Sequence, residues 1–227
     1  MPPSDSTLPA TLGSRLDRLL EKAVVRFLVN SLMVWAMMAL YMYMNHHQPA
    51  VVERVAMPEW VPFLPGFVVP YIFLLGVTWG LPVAIRTPAM FRACLLANAC
   101  GWLLVMPWWW LTPTMMGRPP LPAEPWTRTF ILLWASDRPC NIFPCGHGVG
   151  PVVAAWFASR DRPAWRWPLL LFLILTLPSI ALVWQHRPFD ILVGLLAAGV
   201  GIAVASGFPA KISILKPARE VRRYPDP

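Results

Sequence analysis

Charge is what this sequence has least of. Asp, Glu, Lys and Arg make up 13% of its 227 residues, about half of the roughly 25% typical of soluble domains. The uncharged stretches include several apolar runs near the 20-residue length that spans a bilayer. With 57% hydrophobic residues and a mean hydropathy of +0.53, an ordinary soluble domain is excluded. The expected fold is an all-α polytopic membrane bundle. Acidic residues are scarcer than basic ones, 11 against 19, giving a net charge of +8. In a soluble chain that balance would suggest nucleic acid; here the basic residues flank the apolar runs and read as topology signals, so no nucleic-acid partner is expected.

Other absences narrow the reading further. The N-terminus has no small-x-small cleavage site before a polar chain, and its apolar run starts late and is long, so it is expected to be retained. No internal repeat is visible. Cysteine is sparse, with four residues. Cys94 and Cys100 fall inside an apolar run and read as packing. Cys140 and Cys145 lie in a polar segment, where a small-loop disulfide is open in an oxidising compartment. No arginine follows Cys145 at the spacing a cysteine phosphatase uses. A zinc site from Cys140, Cys145, His147 and His186 is open by ligand type alone.

In chain order, residues 1–23 form a lead-in, with Arg15 to Lys22 an amphipathic piece for the membrane surface. Six spans are expected within 24–208, followed by a basic tail over 209–227. The spans are Val24–Met44, Phe67–Ile85, Ala93–Leu111, His147–Ala158, Trp167–Gln185 and Phe189–Phe208. Arg26 is expected to snorkel towards the interface, and Asn98 to find a partner on a neighbouring helix. Trp108-Trp109-Trp110 reads as an aromatic belt, with a ligand cage as the alternative. His46 and His47 lie in a connector and receive no role. The piece from Phe130 to Ala135 is too short to span and is expected to lie over, or dip into, the membrane.

Six spans put the N-terminal segment, the Arg86–Arg92 turn, the Arg160–Arg166 hairpin and the tail with Lys211, Lys216, Arg219, Arg222 and Arg223 on one side. These are the basic segments, so both termini are expected in the cytoplasm. His147, opening the fourth span, and His186, closing the fifth, then share the outer face.

That shared face concentrates the chemistry. Asp137 to Gly150, DRPCNIFPCGHGVG, is a Pro- and Gly-rich turn running into an apolar stretch, and a helix entrance offers free backbone N–H groups to an anion. The second stretch is Gln185-His186-Arg187-Pro188-Phe189-Asp190, with Pro188 suited to a first helical turn. Asp190 sits four residues after His186, where a carboxylate can accept the imidazole Nδ1–H and leave Nε2 as a nucleophile. A plain helix N-terminal anion is the other reading of Asp190. His147 suits a general acid, and the Gly146 and Gly148 backbone suits an anionic oxygen. Arg118, Arg128, Arg138 and Arg187 are the outer-face cations available for phosphate, with lipid-head-group or solvent contact equally open for Arg138 and Arg187.

Phe143-Pro144-Cys145-Gly146-His147 and His186-x-x-x-Asp190 resemble the second and third signature stretches of the type 2 phosphatidic acid phosphatase superfamily. Asp137 and Asn141 resemble its branch containing inositol phosphorylceramide synthases. The resemblance covers roughly Arg118 to Gly201 and includes the six-span order. It implies His186 as nucleophile, His147 as acid, Asp190 as the residue orienting His186, and no metal or other cofactor. Phosphate contacts are expected from Arg118, Arg138, Arg187, Asn141, Cys145, Gly146 and Gly148. The chain departs from the family pattern at three places: Cys145 replaces a serine, Leu111 stands at the lysine of the first stretch, and Ile180 follows Ser179 where phosphatases carry arginine. Fewer cations suit a singly charged diester better than a phosphomonoester of about −1.5 to −2, and Pro119-Pro120-Leu121-Pro122 is loosely similar to a sphingomyelin synthase motif.

The expectation is therefore a lipid phosphatase or phosphotransferase of a bacterial inner membrane, facing the periplasm and acting on the outer leaflet through a phosphohistidine. Head-group transfer between lipids and a catalytically inactive lipid-binding or transport relative are its alternatives.

Overall fold

The computed structural model describes residues 12–47 and 52–207. The expected basic tail lies outside the described residues. Several apolar runs become helices at a proline or a basic residue, as at Pro88, Arg166 and Pro188. The α-helices among the described residues are α1 (Leu12–Leu20), α2 (Ala23–His46), α3 (Val68–Gly80), α4 (Pro88–Leu111), α5 (Thr127–Ser136), α6 (Val149–Asp161), α7 (Arg166–Thr176), α8 (Ser179–Leu182) and α9 (Pro188–Gly207). Pro88 and Pro188 stand at first helical positions, where the missing N–H costs nothing.

Among the described residues, five helical stretches are long and apolar enough to cross a membrane: Ala23–His46, Pro65–Ala84, Pro88–Leu111, Pro163–Leu182 and Pro188–Gly207. Their outward faces are apolar, as at Leu32 on α2, Ile174 on α7 and Leu196 on α9, the pattern of helices solvated by lipid. The sixth expected span corresponds to α6, which has 13 residues. At 1.5 Å per residue it is about 20 Å long, shorter than the roughly 30 Å hydrocarbon core. It starts two residues later than expected, which leaves His147 in the turn before it.

α6 lies at the centre of the bundle, with Val149, Val153, Ala154, Phe157 and Ala158 buried. α4 and α9 form the most extensive helix pair, and small residues let their backbones meet. Gly201 faces the Ala97 carbonyl so closely that a Cβ would overlap it, and a Cβ on Gly101 would strike Val149.

Two expectations about polar residues are corrected. Arg26 does not snorkel: it is 5% exposed and donates to the carbonyls of Leu20 (2.7 Å), Glu21 (2.8 Å) and Val83 (3.0 Å). It satisfies the orphan carbonyls that end α1, and it ties that end to the segment after α3. Asn98 has no hydrogen-bond partner on a neighbouring helix among the described residues. Its Nδ2 donates to the Cys94 carbonyl one turn back (3.2 Å).

The long connectors are more ordered than the sequence suggested. Glu53–Val55 (β1) pairs in parallel with Thr114–Met116 (β2), and Met115 bridges to Cys140. α5 covers the expected short apolar piece. Cys140 and Cys145 are both buried free thiols, so the disulfide left open above is not formed.

Candidate active site

The turn from Phe143 to Gly148 is fastened from three directions. The Phe143 amide donates to the Thr114 hydroxyl on β2 (3.0 Å). Trp109 of α4 donates its Nε1–H to the Pro144 carbonyl (2.8 Å). The Cys145 amide donates to the Asp190 carbonyl in the first turn of α9 (3.0 Å). Close approach requires glycine twice here. A Cβ on Gly194 would overlap the Cys145 carbonyl, and one on Gly146 would come within 3.1–3.2 Å of the Trp102 and Trp109 rings. Trp109 is thus a buried wall of the site, while Trp108 and Trp110 keep the exposed, belt-like character expected for all three.

His186 follows α8 through a tight turn in which the amides of Gln185 and His186 both return to the Ile180 carbonyl (3.0 and 3.4 Å). Trp184 in that turn has φ 55°, and Asn141, ahead of the first turn, has φ 59°. Bulky residues rarely adopt left-handed backbone, and such conformations cluster at functional sites. Here they present the two histidine segments to each other.

His147 Nδ1 and His186 Nε2 lie 2.7 Å apart. The Ile142 carbonyl, an acceptor only, sits 2.6 Å from His186 Nδ1. That nitrogen therefore carries the proton, Nε2 of His186 is the acceptor, and His147 donates its Nδ1–H across the gap. The partner orienting His186 is thus a backbone carbonyl instead of Asp190. The Asp190 carboxylate turns the other way and accepts from the Arg187 amide (2.9 Å), Nε (2.9 Å) and Nη2 (2.7 Å). It braces the start of α9 and holds Arg187, whose own value is raised chiefly by this hydrogen bonding.

Burial dominates the electrostatics. It pushes His147 down to about 3, with His186 adding to the effect. It pushes His186 down to about 4, opposed by the Ile142 contact and reinforced by Arg118 and Arg187. Both rings are neutral near pH 7. Burial also lifts the Cys145 thiol to about 12 against the amides of Gly148 and His147, which point at its sulfur. The side chain expected to touch phosphate thus occupies the amide cradle itself.

A second polar unit, largely missed in the sequence, stands beside the histidines. Asp137 accepts from the Tyr41 hydroxyl (2.5 Å) and from Asn45 Nδ2 (3.4 Å) through Oδ1. With its amide oriented to satisfy both neighbours, Gln185 donates to Asp137 Oδ2 (3.1 Å) and accepts from Arg118 Nη1 (3.0 Å). Arg118 also donates to the Asp137 backbone carbonyl (2.6 Å) and lies over the Trp134 ring. Its buried Nε has no partner among the described residues. Burial raises Asp137, with His147 the leading counterweight, and lowers Arg118, with Asp137 opposing.

Other expected phosphate ligands are not gathered at the pair. Arg138 is exposed and directed to the end of α2, donating to the His46 carbonyl (3.5 Å). Arg128 is exposed on α5. Asn141 is buried one residue before Ile142, and Gly148 stands at the N-cap of α6. His46 and His47 are exposed, as expected, but they lie at the end of α2 and not in the connector, with their Nδ1 atoms 2.8 Å from the Met42 and Tyr43 carbonyls.

Cys145, His147 and His186 are also the one set of potential metal ligands among the described residues, with donor atoms within 4.8 Å of one another. Cys140 does not join them. Two nitrogens on a tetrahedral zinc at 2.0–2.1 Å stand about 3.3 Å apart, so the 2.7 Å contact must widen before an ion fits. The chain matches no protein-family model, no curated protein and no solved structure.

Proposed function

We propose that this protein is a membrane phosphotransfer enzyme acting on phosphorylated lipids through a phosphohistidine on His186. One observation carries the reading: a buried His147–His186 contact that leaves His186 Nε2 as a lone-pair donor, with Arg118 and Arg187 both acting on that ring.

The chemistry follows from those groups. The lipid phosphate enters between the two rings, which separate, and its negative charge favours the protonated form of His147. His186 Nε2 attacks phosphorus, the phosphorus–oxygen bond to the lipid breaks, and His147 gives its proton to the departing oxygen. Arg118, through its unpartnered Nε–H, and Arg187 steady the transferred group. His147, now neutral, takes a proton from water or a lipid alcohol, whose oxygen displaces His186 from phosphorus. Free phosphate, or a new phosphorylated lipid, leaves and the pair re-forms. No metal is required in this scheme.

Water as acceptor makes the enzyme a phosphatase. The head-group transfer version is favoured by the cation count: Arg187 is paired with Asp190 and Arg118 stands beside Asp137, which leaves little free positive charge and suits a singly charged diester. In the six-span reading, α6 completes its crossing with the embedded turn before it. Both termini then face the cytoplasm and the site faces the periplasm and outer leaflet.

The test is to quench purified protein incubated with phosphate-labelled lipids and to look for acid-labile, alkali-stable label on the chain. Label on wild type and none on His186→Ala supports the reading. Turnover in His186→Ala at the wild-type rate would overturn it, and loss of turnover on chelation would move the chemistry to a metal on the Cys145 cluster.

A further inference from the structure

Below the histidine pair lies a cavity of about 150 Å³. His147, His186 and Gly146 close one end. Met33, Met37, Leu75, Trp79 and Trp102 form most of an apolar wall drawn from α2, α3 and α4. Met38, also on that wall, is 37% exposed, so the cavity borders the lipid-facing surface of α2.

One feature of the wall does not fit an empty apolar space. Asn98 lines the cavity and is 2% exposed. Its Nδ2 is used by its own helix, but its Oδ1 has no hydrogen-bond partner among the described residues. An unpaired buried acceptor is costly, typically about 1–3 kcal/mol, and a bundle of apolar helices has no packing use for it. Asn98 lies one helical turn, about 6 Å, from Trp102, whose ring end reaches the Gly146 position. The acceptor is therefore set back from the reacting nitrogens by a short length of chain.

We infer that this cavity holds the part of the lipid nearest its phosphate, and that Asn98 Oδ1 accepts a hydrogen bond from a donor carried there, a hydroxyl or an amide N–H. The inference rests on the phosphotransfer reading for which end of the lipid meets the histidines. It adds a substrate class: single chains bearing a hydrogen-bond donor near the head group, selected over plain chains. A plain chain strips water from Asn98 without replacing it, and buried polar groups left unpaired are the strongest source of rejection. Asn30 gives an internal contrast. It too is buried with an unpartnered Oδ1, held by its Nδ2 to the Thr78 and Trp79 carbonyls, but it is not among the cavity-lining residues.

The experiment measures binding, so that turnover is a separate readout. Full-length His186→Ala protein in detergent is titrated with a long-chain alkyl phosphate and with the same chain carrying one hydroxyl, its position walked outward from the phosphate. One hydroxylated isomer is expected to bind about tenfold tighter than the plain chain. Asn98→Leu should erase that preference while retaining the plain chain, and Asn30→Leu should keep it. Should Asn98→Leu fail to fold, Asn98→Ala removes the acceptor without adding bulk and gives the same readout. The inference is overturned if no isomer outcompetes the plain chain, or if the preference survives without Asn98. A preference that depends on Asn98, in a protein whose wild type turns over no lipid, would instead sink the phosphotransfer reading and leave the subsite standing.

Discussion

Two arginine–aspartate units stand on either side of the histidine pair, and they are built in opposite ways. Arg187 and Asp190 are three residues apart and meet in a fork of two hydrogen bonds at the mouth of α9. Arg118 and Asp137 come from different connectors and are joined through Gln185, with Tyr41 and Asn45 completing the carboxylate's shell. The first unit is local and would form in any helix that began there. The second exists only when α2, the long connector and the segment after α8 are all in place. It is therefore a report on the whole fold, delivered next to the two facing ring nitrogens.

Removing each acid should separate the two units most sharply. Asp137→Ala strands Arg118, Gln185 and Tyr41 together; breaking this half-buried charged unit from one side should cost about 2–3 kcal/mol. The thermal midpoint in detergent should fall markedly, with turnover. Asp190→Asn keeps an acceptor for the Arg187 amide and should cost about 1 kcal/mol. Equal losses in the two variants would erase the distinction.

The arginines make the next contrast. Arg118→Lys removes a fork anchored at two oxygens and should lower kcat/KM about 100-fold. Arg187→Lys, already shared with Asp190, should lower it about tenfold. A larger loss at Arg187 would move the phosphate to the other side of the pair.

Acidification probes what lies between the units. His147 falls to about 3 and His186 to about 4 in the fold, against an ordinary 6.5. The unfolded chain thus binds more protons in that interval, so stability rises with pH there. It should be complete above pH 6.5 and be lost progressively as pH falls towards 4, and His147→Gln should flatten the slope. The smallest effect is Tyr41→Phe, about 1 kcal/mol for one hydrogen bond to Asp137. A null result would show that Asn45 and Gln185 suffice for the carboxylate.

The same contrast explains what the sequence revealed. Apolar runs report their own environment, so α2, α3, α4 and α9 were legible to within a few residues. His147 and His186 stood out because each sits at a helix entrance in a short polar motif, and Asp190 was visible four residues on. Its true partner was nearer than the one spacing suggested, since Arg187 competes for the carboxylate and the Ile142 carbonyl takes the histidine. Asp137 stood out by its resemblance and Gln185 lay beside His186, but nothing in their spacing tied either to Arg118 until folding joined them. Tyr41 sat within an apolar run, where a single phenol leaves no pattern. Arg26 was misjudged because its carbonyl partners lie on α1 and after α3. The β1–β2 pair, three residues per strand, is too short to leave a periodic pattern.

Gly194 and the Cys145 carbonyl lie too close together to admit a Cβ. With the Cys145 amide bond to Asp190, this close approach joins the turn bearing His147 to the first two turns of α9. α9 is long and apolar enough to match a bilayer, and such a helix tilts when hydrocarbon thickness changes. A tilt of α9 would move that turn as well as His186 just ahead of the helix, so on the proposed reading the site would feel hydrocarbon thickness.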